Sequence, residues 1–281
     1  MAALRSPWHR ALATLSLALV AFLYITPILF MISAGFTPDN RVLAVRERGV
    51  LGSLLPAAPT LENYHDVFAR MDFWLFMGNS LIVVGTTVLL GLFVNSMLAF
   101  ALARLRWRGR KAVLLAAFAL LVIPFEAIAI PLFFMASWVG MVDTYAVQIA
   151  PFVANPFAII LFYTFFRELP PELDQAARVD GASTWTIYWR IAVPLARPAF
   201  ASAGILTFLI QWGAYLWPLM VTIGPEVRPL PVAIGEFPNE QPVQWGDIMA
   251  FATLMVVPVM LAFIVFQRWF VRGIAGAGLK G

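Results

Sequence analysis

Six long apolar segments run through this chain of 281 residues and limit the folds open to it. Each reaches about 20 residues, the length that crosses a bilayer as a helix. Glu126 in the third segment and Arg268 at the end of the sixth are their only charged side chains. Backbone polar groups in lipid must be hydrogen-bonded inside the protein, so these segments predict helices. The predicted spans are residues 11–36, 73–103, 112–139, 144–166, 198–223 and 248–268.

The composition supports the same fold class. The chain is 62% hydrophobic and 12% charged, whereas soluble domains carry about 25% charged residues. We therefore expect an all-α polytopic membrane protein that forms a single domain over residues 1–281. The chain has no Cys, which excludes disulfides and thiolate metal sites. It also lacks the P-loop, H-E-x-x-H and G-x-S-x-G patterns, so the sequence predicts no enzyme, no bound cofactor and no metal.

The distribution of basic residues predicts the orientation. With six crossings, 14 of the 19 Lys and Arg residues fall on one side of the membrane. The positive-inside rule makes that side cytoplasmic, which places both termini in the cytoplasm. Because these basic residues flank apolar segments, they indicate membrane topology rather than nucleic-acid binding. The 14 are Arg5, Arg10, Arg104, Arg106, Arg108, Arg110, Lys111, Arg167, Arg178, Arg190, Arg197, Arg268, Arg272 and Lys280.

A polar insert, residues 167–197, separates the fourth and fifth spans. Pro171 suits the first turn of a helix, and Gly181 can adopt the positive φ that ends one. Ser183 can cap a second short helix, which Pro194 is expected to end. The pattern predicts two short helices at an angle on the cytoplasmic side. On these residues alone, an ordinary helical loop is an equally good interpretation.

Candidate pathway residues lie inside the spans. Glu126 is the only ionisable residue well inside a predicted span, and such residues are costly and usually face a cavity or a partner. Asn79 and Asn155 are intramembrane amides, which often join helices instead of binding a ligand. Trp212 and Tyr215 could stack on sugar rings or simply pack between spans. A stand-alone secondary carrier coupled through Glu126 is the alternative that these residues leave open.

The insert resembles a known motif. Residues 175–181 read QAARVDG, and residues 191–195 read IAVPL. Together they resemble the E-A-A-x-x-x-G and I-x-L-P elements of the EAA motif in bacterial ABC importer permeases. Residues 60–64, 103–109 and 267–273 also resemble the carbohydrate-uptake branch of that family, in particular the six-span subunit of the maltose and glycerol-phosphate type. The resemblance covers nearly the whole chain.

The resemblance implies a multi-pass subunit of the bacterial inner membrane that imports a sugar or sugar-like solute. Its expected partners are a second permease, two ATP-binding subunits and an extracytoplasmic solute-binding protein. ATP and magnesium would bind in the ATPase, and this chain would carry out no chemistry. The insert would be the coupling helix that docks in the ATPase. The residues matched to that role are Asp174, Gln175, Ala176, Ala177, Asp180, Gly181 and Ala182.

Two positions depart from the family pattern. Gln175 stands where the motif usually has Glu, which replaces a charge-assisted contact with a neutral one about half as strong. The neighbouring Asp174 offers a carboxylate that could substitute. Residues 212–215 read WGAY where relatives tend to have Trp-Asn-Asp or Trp-Asn-Glu, so polar groups are missing there. A phosphate-bearing solute is a further alternative, although the predicted spans offer it no internal Lys or Arg.

Overall fold

The computed structural model describes residues 7–42, 49, 51–56, 58–239 and 243–278. Within these ranges every regular element is helical, and the prediction of an all-α membrane protein is confirmed. In chain order the helices are α1 (Pro7–Gly35), α2 (Asp39–Val42), α3 (Glu62–Arg70), α4 (Phe73–Arg104), α5 (Arg110–Leu120), α6 (Phe125–Trp138), α7 (Tyr145–Val153), α8 (Pro156–Glu168), α9 (Pro171–Val179), α10 (Thr184–Ile187), a π turn (Tyr188–Ala192), α11 (Val193–Leu195), α12 (Arg197–Trp212), α13 (Leu216–Val221), α14 (Leu230–Ala233), a 3₁₀ helix (Ile234–Asn239) and α15 (Trp245–Gly278).

The lengths of these helices account for up to six membrane spans. Four helical stretches are each long and apolar enough to cross a bilayer: Trp8–Gly35, Phe73–Arg104, Tyr145–Glu168 and Trp245–Phe266. Two further pairs qualify only jointly, because each is bent at a short break. The α5–α6 pair bends by 108°, and the segment from α10 to α11 bends by 76° against α12. Six spans result when each bent pair counts as one.

The break between α5 and α6 has a local cause at Pro124. Pro124 takes an extended conformation as the N-cap residue of α6, with φ −67° and ψ 140°. A proline disfavours the helical region for the residue before it, so a helix tends to stop there. The new helix starts at Phe125 and places Glu126 in its first turn. A carboxylate is favoured in that position by the helix dipole.

The chain divides into two compact units, one of which comprises Met1–Phe73 and Ile234–Pro258. Within this unit Asn63 joins α3 to the end of α1, because its Nδ2 donates to the carbonyl oxygens of Gly35 at 2.9 Å and Thr37 at 2.8 Å. Gly35 is the last residue of α1 and Thr37 lies two residues beyond it, so neither carbonyl oxygen has a partner inside the helix. The Arg70 guanidinium lies 3.0 Å from the buried Asp247 carboxylate.

The second unit comprises Trp74–Ala233 and Val259–Gly281. Within it, α4 presents buried polar side chains at several levels along its length. Near one end, Asn79 Nδ2 donates to the carbonyl oxygens of Pro225 at 3.2 Å and Arg228 at 2.9 Å. Ser80 Oγ accepts the Leu230 N–H at 2.8 Å. Polar groups buried among apolar helices are costly without partners, so these bonds fix the loop after α13 on α4.

The fourth span is broken between α7 and α8, and α4 bridges the gap. Asn95 Nδ2 donates to the Val153 carbonyl at 2.8 Å, and Asn95 Oδ1 accepts the Asn155 N–H at 2.9 Å. The Asn155 side chain in turn caps α8 by accepting the Ala158 N–H at 3.1 Å. Pro156 occupies the first position of α8, where its missing N–H leaves no helical hydrogen bond unmade. Asn95 therefore supplies the hydrogen bonds that the broken helix has lost.

Candidate coupling insert and membrane cavity

The first helix of the insert ends in a Schellman turn. The Ala182 N–H donates to the Ala177 carbonyl at 2.9 Å, and the Gly181 N–H donates to the Arg178 carbonyl at 3.1 Å. Gly181 adopts φ +79°, the left-handed conformation that this turn requires. The predicted stop at Gly181 is confirmed. Ser183 Oγ then accepts the Thr186 N–H at 3.1 Å, so the predicted cap of the second helix is also confirmed.

The second half of the insert corrects one prediction. Pro194 does not end the second helix, because α10 continues through the π turn and α11 to Leu195. Pro194 has no N–H to donate, and the wider hydrogen-bonding pattern of the preceding π turn accommodates the missing bond. In a regular α-helix that missing bond would be a defect. The aromatic side chains of this segment differ in burial: Tyr188 is buried, whereas Trp185 and Trp189 are exposed.

The α9 helix has two distinct faces. Its outer face comprises Gln175, Ala176, Val179, Asp180 and Gly181, all of which are exposed, with Val179 at 88%. The other three residues that the motif singled out, Asp174, Ala177 and Ala182, are partly buried. Ala177 and Ala182 pack against a core that includes Phe162, Phe166 and Ile187. The two adjacent alanines of the motif therefore have different surroundings.

Arg104 in the last turn of α4 holds the start of α9. Its guanidinium donates to the carbonyl oxygens of Leu169 at 3.1 Å and Pro170 at 3.2 Å. The same group pairs with Asp174, at 3.2 Å between Nε and Oδ2. The side chains are only 9% and 19% exposed. In the sequence Arg104 contributes only to the predicted topology, although the helix dipole favours a basic residue in the last turn of a long helix.

A second contact joins the insert to α4 at Ser96. The Tyr188 hydroxyl lies 2.8 Å from Ser96 Oγ, and both groups are buried. The Trp189 ring stacks on Phe93 with centroids 6.3 Å apart. Ser96 is the direct neighbour of Asn95, which bridges the break in the fourth span. Consecutive residues of α4 thus contact the insert and the fourth span.

A cavity of about 340 Å³ lies within the second unit, near the Asn155 break. Three predicted pathway residues, Glu126, Asn155 and Tyr215, line it together. The remaining lining residues are Phe125, Phe152, Thr207, Ile210, Gln211, Ala214, Leu216 and Trp217. The carboxylate, two amides and two hydroxyls among these side chains could hydrogen-bond a polar solute, and four aromatic rings could stack on it.

The other two predicted pathway residues lie elsewhere. Asn79 is buried and holds the loop after α13, where its Oδ1 also accepts the Tyr145 hydroxyl at 2.5 Å. Trp212 is 3% exposed and is absent from the lining of the 340 Å³ cavity. Thr207 and Gln211 are lining residues that the predicted site did not include. They lie four residues apart on α12, which is the spacing of one helix face.

These features define a membrane transport component: a helical protein with a polar two-helix insert and a cavity inside its spans. Among the described residues, no group of three or more potential ligands could hold a metal ion. Residues 89–276 match the family of binding-protein-dependent transport system inner membrane components, and the chain belongs to this family. The predictions of a multi-pass membrane permease and of a transport subunit rather than an enzyme are confirmed.

Individual relatives extend the match over nearly the whole chain. It is 32% identical to the arabinooligosaccharides transport system permease protein AraQ of Halalkalibacterium halodurans, over 98% of both chains. It is 31% identical to the trehalose transport system permease protein SugB of Mycobacterium tuberculosis, over 91% of this chain and 92% of that one. A crystal structure of a bacterial ABC transporter that imports the acidic polysaccharide alginate matches with a TM-score of 0.80 at 24% identity, covering 94% and 98%.

Proposed function

We propose that this chain is the permease subunit of an ATP-driven importer for a sugar or sugar-like solute. The transported solutes named for the relatives, arabinooligosaccharides and trehalose, support this assignment. The cavity supports it as well, because aromatic rings beside amide, carboxylate and hydroxyl groups suit a solute with apolar faces and many hydroxyls. The stand-alone carrier alternative does not agree with membership of a family that depends on binding proteins.

The outer face of α9 is the proposed docking site for the ATPase. Ala176 and Gly181 allow a partner to approach closely, and Val179 offers an exposed apolar contact. Gln175 would make a neutral hydrogen bond there in place of the Glu contact of the family. The single observation that carries the assignment is that α9 turns this face to solvent while the Arg104 contacts hold its other side.

The inward residues of the motif are assigned a different part in coupling. Asp174 is paired with Arg104, and a direct contact with the ATPase would require it to leave that pair. We therefore assign Asp174, Ala177 and Ala182 to fixing the insert on the span helices. Asp180 and Gly181 would shape the turn that the ATPase contacts.

Coupling would then proceed by movement of the insert as a rigid element. ATP and magnesium would bind in the two ATPase subunits, whose closure would displace α9. Arg104 and Tyr188 connect the insert to α4, and Asn95 connects α4 to the broken fourth span beside the cavity. A displacement of α9 would in this way change the cavity walls. The solute would arrive from an extracytoplasmic binding protein, and a second permease would complete the pathway.

The proposed pathway runs through the cavity, with Glu126, Asn155 and Tyr215 as its solute-facing groups. Asn79 and Trp212 would support it from buried positions instead of contacting solute. Both termini would lie in the cytoplasm, on the side of the insert. The Arg-rich segment 104–111 and the insert then share that side, as docking to a cytoplasmic ATPase requires.

The test compares Ala176→Asp with Ser183→Asp. Both variants add one negative charge to an exposed position of the insert, but Asp can replace Ser as a helix cap. The tagged chain is purified from its native membrane in mild detergent, and its partners are identified by mass spectrometry. We expect an ATPase and a second permease with the natural chain and with Ser183→Asp, and loss of the ATPase alone with Ala176→Asp. Equal ATPase recovery with both variants would contradict the docking site.

A further inference from the structure

The lining of the cavity carries an unbalanced charge. Glu126 is the only one of its eleven lining residues with a formal charge, and it is exposed. Within the described ranges, no ion pair or hydrogen bond engages the Glu126 carboxylate. The polar groups around it, the amides of Asn155 and Gln211 and the hydroxyls of Thr207 and Tyr215, are all neutral.

The apolar part of the lining is fixed in place by its own contacts. Trp217 Nε1 donates to the Val147 carbonyl at 2.9 Å, and this hydrogen bond fixes the orientation of the indole ring. Phe125 meets Trp217 edge-on with centroids 5.8 Å apart, and Phe152 lies 5.2 Å from Phe125. These rings lower the local dielectric constant and strengthen the field of the carboxylate in the space beside them.

We propose that Glu126 makes this cavity a charge filter that admits neutral, hydroxyl-rich solutes and repels anionic ones. The proposal rests on the proposed function, because it takes the cavity as the solute pathway. Hydroxyl groups of a neutral sugar can donate to the Glu126 carboxylate and to the amide oxygen of Gln211, whereas Asn155 Oδ1 already accepts the Ala158 N–H. A carboxylate, sulfate or phosphate group on the solute can donate to none of them.

The size of the discrimination follows from Coulomb's law. For unit charges roughly 6–8 Å apart at an effective dielectric constant of about 20–40, repulsion lowers the local concentration of an anion roughly 5- to 100-fold. A cation is enriched by the same factor. A neutral solute is unaffected by this term and gains the hydrogen bonds. The filter would thus act on solute charge independently of the selectivity of a binding protein.

The absence of native Cys from the chain allows a direct measurement. Thr207→Cys places a single thiol in the cavity lining, in the complete transporter reconstituted in liposomes. Two methanethiosulfonate reagents of similar size are compared, the cationic trimethylammonioethyl and the anionic sulfonatoethyl compound. The rate of modification of this chain is followed by mass spectrometry, with and without ATP. The measurement is repeated in the Glu126→Gln and Glu126→Asp backgrounds.

We expect the ratio of cationic to anionic modification rates to fall at least about tenfold with Glu126→Gln. Glu126→Asp should retain most of the ratio, because it keeps the charge. As the matched control, Leu61→Cys places a thiol at an exposed position outside the cavity lining, where Glu126→Gln should leave the ratio unchanged.

Two results would overturn different parts of this reasoning. If the thiol at position 207 reacts but the cationic-to-anionic ratio is the same with Glu126 and in Glu126→Gln, the charge filter is wrong. The cavity then remains a water-filled pathway. Neutralisation of Glu126 by a partner subunit would give that same result. If neither reagent modifies the thiol with or without ATP, the cavity is closed to water. In that case the assignment of the cavity as the pathway in the proposed function fails as well.

Discussion

The contact between Arg104 and the insert leads to the most quantitative prediction. Arg104→Ala removes two hydrogen bonds to backbone carbonyls and the ion pair with Asp174. Hydrogen bonds to charged groups contribute about 1.5–3 kcal/mol each. The three contacts share one guanidinium, and Asp174 keeps partial access to water, so their sum must be discounted. We expect α9 to lose about 2–3 kcal/mol of local stability.

Hydrogen exchange of the α9 backbone measures this loss directly. A change of 2–3 kcal/mol corresponds to a roughly 30- to 150-fold increase in local opening, because each 1.36 kcal/mol is a factor of ten. Peptides covering Pro171–Val179 should therefore exchange faster in Arg104→Ala. Arg104→Lys should give an intermediate effect, because Lys keeps the charge but cannot bind two carbonyls and a carboxylate with a planar group.

The exposed Arg108 provides the matched control, since Arg108→Ala removes the same side chain from the segment that follows α4. It should leave exchange of α9 unchanged. Equally fast exchange of α9 in Arg104→Ala, Arg108→Ala and the natural chain would refute the stabilising role of Arg104. In that event packing of Ala177 and Ala182 on the core would hold the insert without the arginine.

Two further predictions concern buried hydroxyls. Ser96→Ala should destabilise the protein by about 1–3 kcal/mol, because the buried Tyr188 hydroxyl loses its hydrogen-bond partner. Tyr188→Phe should cost less, because Ser96 Oγ still donates to the Leu92 carbonyl at 2.5 Å. In the Tyr188→Phe background, Ser96→Ala should then cost little stability. Thermal unfolding in detergent measures both costs, and an equal cost of Ser96→Ala with Tyr188 and with Phe at position 188 would exclude coupling between the two hydroxyls. Burial raises the pKa of the Tyr64 phenol above its usual 10.0 and outweighs the opposing effect of Thr253. A tyrosine pKa that is raised in the folded state leaves stability constant below pH 10 and lowers stability as the pH rises further. Tyr64→Phe should therefore lose less stability at alkaline pH than the natural chain. The same alkaline pH profile for both would contradict this.

Local sequence signals predicted the parts of the insert that depend on neighbouring residues. The Schellman turn at Gly181 and the cap at Ser183 need only a residue that tolerates a positive φ and a hydroxyl at the right place. The wrong prediction at Pro194 concerned a local signal too. It failed because the π turn before the proline, which has no comparable signature in the sequence, accommodates the missing N–H.

Other parts of the site depend on residues far apart in the chain. Nothing in the motif distinguishes Ala176 from Ala177, yet only Ala177 packs on the core. The pairing of Arg104 with Asp174 joins positions 70 residues apart. Asn79 and Asn155 are both intramembrane amides in the sequence, but one holds a loop and the other lines the cavity.

The sequence by itself determined that this chain is a helical membrane protein with a two-helix insert. It also determined that this insert carries the family motif. Those properties follow from the length of apolar segments and from turn chemistry, because backbone groups in lipid must be satisfied within a few residues. Only the tertiary structure decided which face of α9 is free and which polar side chains enclose the cavity. These outcomes depend on packing between distant helices, where a change in helix rotation or in the site of a break exchanges buried residues for exposed ones.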